Sequence, residues 1–295
     1  MNMPVVPIPP DFNNNEELNT ASTITYVDYL VSNNATTVMT TAGTSLFGLL
    51  TTPEIHRLNE AIASTSAGKK ILGIPASSQK NAKEFARHAT ESYVDNSCYL
   101  MPIYPDRWYD DETIISYFSE IRGRCSNPLY IHCMVMRSGK GGTWDYTSDI
   151  LNTLYEQDII CGIKEENSSF KDAYNFVSSL DPSLDVIVAG GSMRRHQYLR
   201  SAGANTFLAG IGNIFPSVEQ QYMRGEDIDE CLSLESKLFK VFMAQGWHKA
   251  LRAALGQRSL TCGSNRPPWP KSTQEEISEI LDVLSIIEKE VKYDQ

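Results

Sequence analysis

The chain has 295 residues, 41% of them hydrophobic, enough for a full core in one large domain or in one domain with an appendage. A net charge of −10 argues against nonspecific binding to nucleic acid or anionic membranes, and no apolar run is long enough to span a bilayer. The opening stretch MNMPVVPIPPDFNNNEEL has no basic region followed by an apolar segment, and the six cysteines show no C-x-x-C spacing, so neither a secretory signal nor a zinc or redox motif is expected and a cytoplasmic location is.

Short apolar runs alternate with longer amphipathic ones. In chain order, strands are expected at 4–8 (PVVPI), 36–40 (TTVMT), 70–76 (KILGIPA), 97–103 (SCYLMPI), 129–135 (LYIHCMV), 159–163 (IICGI), 185–190 (DVIVAG) and 205–210 (NTFLAG). Helical patterns lie between them at 52–64, 79–92, 111–123 and 169–180, and Thr52-Pro53-Glu54 reads as a helix start with a capping residue and an early proline. Alternation without a hairpin signal points to parallel strands. A period of roughly 30 residues suits a closed (β/α)8 barrel better than an open doubly wound sheet, and no G-x-G-x-x-G follows the first strand. After NIFP (213–216) the pattern becomes purely helical. The expected organisation is therefore a barrel over 1–216 and a helical region over 217–295.

Reactive groups of such barrels sit at the C-terminal ends of strands. Lys164 ends the apolar run Ile159–Ile163, where an amine is costly unless it is paired, solvated or used. It either reaches water or pairs with Glu165 or Glu166, or it is an amine poised to attack a carbonyl. Other strand ends carry His132, Arg137 and Ser138 (strand five), the turn TTAGTS at 40–45 (strand two), Tyr104 (strand four) and GGSMRR at 190–195 (strand seven). Arg194 and Arg195 read as solvated helix charges, and Asp110-Asp111 and Glu275-Glu276 as helix N-terminal charges. A lysine ringed by a hydroxyl-rich glycine turn, a tyrosine, a histidine and an arginine describes a pocket that can condense with a ketone.

These segments resemble the class I aldolases typified by dihydrodipicolinate synthase and N-acetylneuraminate lyase, over nearly the whole chain. CGIKEENSS resembles the family's Schiff-base strand, which implies that Lys164 forms the imine, with no metal or organic cofactor beyond that covalent adduct. TTAGTS is similar to the Gly-Thr-Thr-Gly-Glu turn that holds the pyruvate carboxylate, which implies substrate binding by Thr41 and Ala42. LMPIYPDRW is similar to the segment whose tyrosine, here Tyr104, reaches a neighbouring subunit's site, implying a dimer or tetramer. PLYIHCMVMRSG resembles the strand-five segment, in which Arg137 matches the arginine that binds the second substrate's carboxylate. VAGGS and AGANTFLAGIGNIFP match the last two strands, with Gly191 and Leu208 facing pyruvate.

The departures are as informative. His132 stands where the family has a proton-shuttling tyrosine, and Ala42 and Thr44 replace a threonine and a glutamate in the turn. An imidazole titrating near 6.5 suits proton transfer at neutral pH better than a phenol near 10. The resemblance implies a Schiff-base lyase or aldolase acting on pyruvate or a related 2-oxo acid, with catalysis by Lys164, His132 and Tyr104. The alternative is a paralogue that has lost catalysis and binds a small carboxylic acid as sensor or scaffold.

Overall fold

In the computed structural model, residues 3–93, 97–105, 110–134, 146–167, 169–261, 263 and 265–293 are described. Each of the eight expected strands forms. They are β1 (Val6–Pro7), β2 (Thr37–Met39), β3 (Lys69–Ile74), β4 (Cys98–Pro102), β5 (Leu129–Met134), β6 (Ile160–Glu166), β7 (Asp185–Val188) and β8 (Thr206–Phe207). Helices α1 (Thr20–Ser32), α2 (Thr52–Ala63), α3 (Gln79–Ser92), α4 (Asp111–Arg122), α5 (Ser148–Glu156), α6 (Phe170–Ser178), α7 (Ser192–Leu199) and α8 (Pro216–Arg224) alternate with them. Three more follow, α9 (Ile228–Gln245), α10 (Trp247–Gln257) and α11 (Gln274–Tyr293). The strands run parallel in chain order, which makes the fold a (β/α)8 barrel with a C-terminal helical segment. No helix among the described residues is long and apolar enough to cross a membrane.

The chain divides into two compact units, Met1–Val5 with Gly68–Leu208, and Val6–Ala67 with Ala209–Gln295. The first unit holds β3 to β8 and α3 to α7. Ile71, Leu72, Leu100, Ile131, Ile163, Ile187 and Phe207 are fully buried in it, as two-sided parallel strands require. Val5 forms a parallel bridge with Leu208, and its N–H donates to the Phe207 carbonyl at 2.9 Å. At the N-terminal ends of β3, β5 and β7 lies a polar cluster. Lys69 Nζ is 2.5 Å from the Tyr130 hydroxyl and 2.7 Å from Asp185 Oδ2, and it sits over the Tyr99 and Tyr130 rings. The Tyr130 hydroxyl donates to Asp185. Burial first, then the Asp185 charge, push this phenol far above its ordinary range, so it stays protonated.

One strand is longer than its apolar run. β6 continues through Glu166, so Lys164 lies inside the strand rather than at its end, and charged residues take the last three ladder positions. Gly162 is needed where it stands. A Cβ there would lie 2.3 Å from the Tyr130 ring of β5 and 2.5 Å from the Asp185 backbone oxygen.

The second unit holds β1, β2, α1, α2 and α8 to α11. α2 begins at the expected Thr52, with Thr51 rather than Thr52 as N-cap. Thr51 donates from both backbone N–H and hydroxyl to Glu54 Oε2, each at 2.9 Å. Leu238, Phe242, Leu251, Leu255, Ile280, Leu284 and Ile287 bury the apolar faces of α9, α10 and α11. Arg266 binds Glu54 through two nitrogens, at 2.5 and 2.8 Å. That hydrogen-bonded pairing holds the Glu54 carboxyl down to about 2.

Two outcomes follow from these contacts. Gly162→Ala forces the backbone of β7 or the Tyr130 ring to move and should destabilise by more than about 2 kcal/mol in chemical denaturation, the upper part of the overpacking range. The Glu54 carboxyl is lower in the folded state than in the unfolded chain, so its contribution is complete above about pH 4.5 and is lost as pH falls toward about 2. Glu54→Gln should therefore be less stable than the parent at pH 6, with the gap closing across that acid window.

Candidate active site

The alternation of a β-strand decides which residues meet. β5 and β6 are paired so that Tyr130 opposes Gly162, His132 opposes Lys164 and Met134 opposes Glu166. Residues two apart on a strand share a face, so Lys164 and Glu166 project to the side on which His132 projects from β5. Their polar atoms converge. Lys164 Nζ lies 2.9 Å from His132 Nε2 and 3.1 Å from Glu166 Oε2, and His132 Nε2 lies 2.9 Å from the same Glu166 oxygen.

The three differ in access to water. The side chains of Lys164 and His132 are 1% and 3% exposed, whereas that of Glu166 is 38% exposed. Burial alone would raise the Glu166 carboxyl. The Lys164 charge and the hydrogen bond from His132 outweigh it and hold the carboxyl well below the usual carboxylate range. A single imidazole nitrogen faces both neighbours. Without a proton Nε2 accepts from the lysine; with one it donates to Glu166. The arrangement can therefore move a proton off a buried amine and keep the receiving imidazole paired.

Glu165 points to the other face and is fully buried against Arg195 of α7. Arg195 Nη2 donates to both Glu165 oxygens, at 3.0 and 3.1 Å, and the Asn167 N–H donates to Oε1 at 2.6 Å. The guanidinium also lies over the Phe170 ring. Burial raises the Glu165 carboxyl, against the opposing pull of Arg195. This corrects the expectation for Arg195, which is 2% exposed and ties β6 to α7; Arg194 is exposed. Of the two pairings open to Lys164, the structure takes Glu166.

The other expected site residues are placed as follows. Tyr104, after β4, packs edge-on against Tyr117 with ring centroids 5.2 Å apart. Both line a cavity of about 480 Å³ with Gln79, Asp110, Thr113 and Ser116. Gly191 is the N-cap of α7, where a Cβ would lie 2.9 Å from Arg195 Cβ. The Leu208 N–H donates to the Val188 carbonyl at 2.8 Å, just beyond β8. Arg137 and Ser138 lie outside the described residues. In the second unit, Thr41 and Ala42 are buried at the start of a tight turn after β2, in which the Ser45 N–H donates to the Ala42 carbonyl at 3.0 Å. Trp247 of α10 braces that turn, its indole N–H donating to Thr44 Oγ1 at 3.2 Å. Asp110 caps α4 through the Thr113 N–H, and Glu275 and Glu276 sit in the first turn of α11, as their sequence positions suggest.

Sequence reasoning gave Glu166 as one of two possible partners of Lys164, but missed its contact with His132 and missed Arg195 as a buried group. The period of two along a strand was the available signal for Glu166, and it applied only once β6 was known to run past Lys164.

A buried amine beside a base, near the C-terminal end of a barrel strand, is the kind of site that barrel enzymes build. Residues 3–287 match the model of the dihydrodipicolinate synthetase family, and the chain belongs to that family. Solved structures share the fold across nearly their full lengths. The 4-hydroxy-tetrahydrodipicolinate synthase of Methylacidiphilum fumariolicum SolV is 19% identical, with a TM-score of 0.79, over 99% of this chain and 98% of that one. CdNal from Clostridium difficile, in complex with mannosamine, is 18% identical with a TM-score of 0.83 over 97% and 99%. A variant of the Sulfolobus solfataricus 2-keto-3-deoxygluconate aldolase, in complex with L-2-keto-3-deoxy-galactonate, is 16% identical with a TM-score of 0.81 over 98% and 97%. No curated protein matches the sequence significantly.

Replacing Arg195 by Met leaves the Glu165 carboxylate buried without its cation. This should cost about 3–5 kcal/mol of stability at neutral pH, measured by urea unfolding. The double variant Arg195→Met with Glu165→Gln should recover part of that loss.

Proposed function

We propose that the protein is a Schiff-base lyase or aldolase that acts on pyruvate or a related 2-oxo acid through Lys164. The observation that carries this reading is the buried Lys164 amine with an imidazole nitrogen 2.9 Å from it. An ammonium is not a nucleophile; it must first lose a proton. His132 Nε2 is within reach of that proton and titrates near neutral pH when unperturbed. The free amine then adds to the ketone carbon of the substrate. The carbonyl oxygen leaves as water, and a protonated imine joins Nζ to that carbon. The iminium withdraws electrons from the adjacent carbon, so a carbon–carbon bond there can break or form with His132 handling the proton.

The same base explains how the site works without the family's strand-five tyrosine, since His132 occupies that position in the sequence. The turn at Thr41 and Ala42 offers backbone N–H groups of the kind that hold carboxylates, a role supported by its sequence likeness alone. Tyr104 and Arg137 keep the roles that the same likeness implies.

The test is borohydride trapping. Incubation with pyruvate and reduction should add one reduced pyruvyl group, mapped by peptide digestion to Lys164 and absent from Lys164→Ala. His132→Ala should slow trapping by about 100-fold or more, the scale of one general base. Lack of an adduct with pyruvate and with a panel of larger 2-oxo acids would overturn the reading and leave a binding protein for small acids.

A further inference from the structure

We propose that Glu166 is a catalytic residue, the common counter-ion of every cationic state through which Lys164 and His132 pass. The inference rests on the imine reading for its substrate steps and on geometry for the carboxylate itself. One Glu166 oxygen lies 3.1 Å from Lys164 Nζ and 2.9 Å from His132 Nε2, so the same anion touches the reacting nitrogen and the base. The two cations it serves are almost wholly removed from water, and a buried charge needs a partner.

The charge balance of the reaction fits this placement. An ammonium and a ketone give an iminium and one water. Nitrogen gives up two of its three protons, both of which leave with the carbonyl oxygen, and the net charge stays at plus one throughout. At rest the positive charge is on Lys164. When the amine is freed it is on His132, and after dehydration it is on the imine nitrogen. Each location is within hydrogen-bond distance of the Glu166 oxygen, so the trio remains neutral overall at each stage and the proton moves without exposing a bare buried charge. Among the described residues, the ionisable side chains hydrogen-bonded to the carboxylate are Lys164 from its own strand and His132 from β5. Gly190, after β7, lies next to it: a Cβ there would be in ordinary contact with Glu166 Cγ at 3.7 Å.

Glu166 also differs from its neighbour. Glu165 is spent on Arg195 in the opposite layer and cannot substitute for it. The partly exposed position of Glu166 makes Glu166→Gln compatible with folding, which thermal unfolding would verify alongside Glu166→Asp.

Two readouts separate this role from the imine reading. The first is the amount of pyruvate adduct trapped at equilibrium at pH 7. It should fall at least tenfold in Glu166→Gln and less in Glu166→Asp, because the iminium loses its anion. The second needs no carbonyl substrate: the pH dependence of Lys164 alkylation by acrylonitrile, a small neutral electrophile, read by peptide mass. Without the anion the ammonium loses its proton more easily, so the labelling midpoint should move down by at least one pH unit in Glu166→Gln. An unmoved midpoint overturns the proposal, whatever the trapping result. A shifted midpoint with no trapped adduct in the parent protein supports the counter-ion and rejects the imine chemistry instead.

Discussion

The register between β5 and β6 is the constraint on which the candidate site depends. His132 stands opposite Lys164 because Ile131 stands opposite Ile163 and Tyr130 opposite Gly162. That ladder is a backbone property, secured by hydrogen bonds and by apolar residues buried at the positions between. Nothing about the amine or the imidazole sets it. The polar side chains are carried to 2.9 Å by a sheet whose stability comes from elsewhere, which is why a costly cluster of ionisable groups can be held in place at all.

Among its described residues the first unit contains two lysines beside a ring group and a carboxylate, and they differ in the ring group each one meets. Lys69 meets Asp185 and a tyrosine whose phenol is kept protonated. Lys164 meets Glu166 and an imidazole. Both amines are compensated electrostatically, but only the second has an imidazole nitrogen within hydrogen-bond distance. Burial and a counter-charge explain why a lysine persists inside a protein; the identity of the third group determines whether its proton can leave.

Much of the fold was legible because parallel strands covered on both faces leave short, nearly uniform apolar runs. All eight runs became strands at or near their expected positions. Their edges were less legible, since apolarity marks where a strand is buried rather than where its ladder stops. β6 shows the difference: hydrogen bonding carries it through Lys164, Glu165 and Glu166, three residues that no hydropathy rule would place in a strand. Lys164 and His132 were readable as chemistry because a charged and a titratable group sat in otherwise apolar segments. Arg195 was not, because its burial depends on Glu165 of a different element, and an arginine in a helix gives no local sign of the carboxylate that draws it inward. Glu166 lay between these cases, visible as an acid but not as a neighbour of the imidazole.

The consecutive residues Lys164, Glu165 and Glu166 point alternately inward, outward and inward, and each direction has a separate use. This makes β6 intolerant of changes in length in a way that it need not be of changes in composition. Deleting one residue just before Lys164 would exchange the faces: the amine would turn to the layer of Arg195, a like charge, and Glu165 would stand opposite the imidazole in its place. Substitutions can be absorbed one at a time, but an insertion or deletion here would invert the layer assignment of the whole strand end in one step. A lineage carrying this site is therefore free to drift in the identity of its pocket residues while the spacing from Gly162 to Glu166 stays frozen.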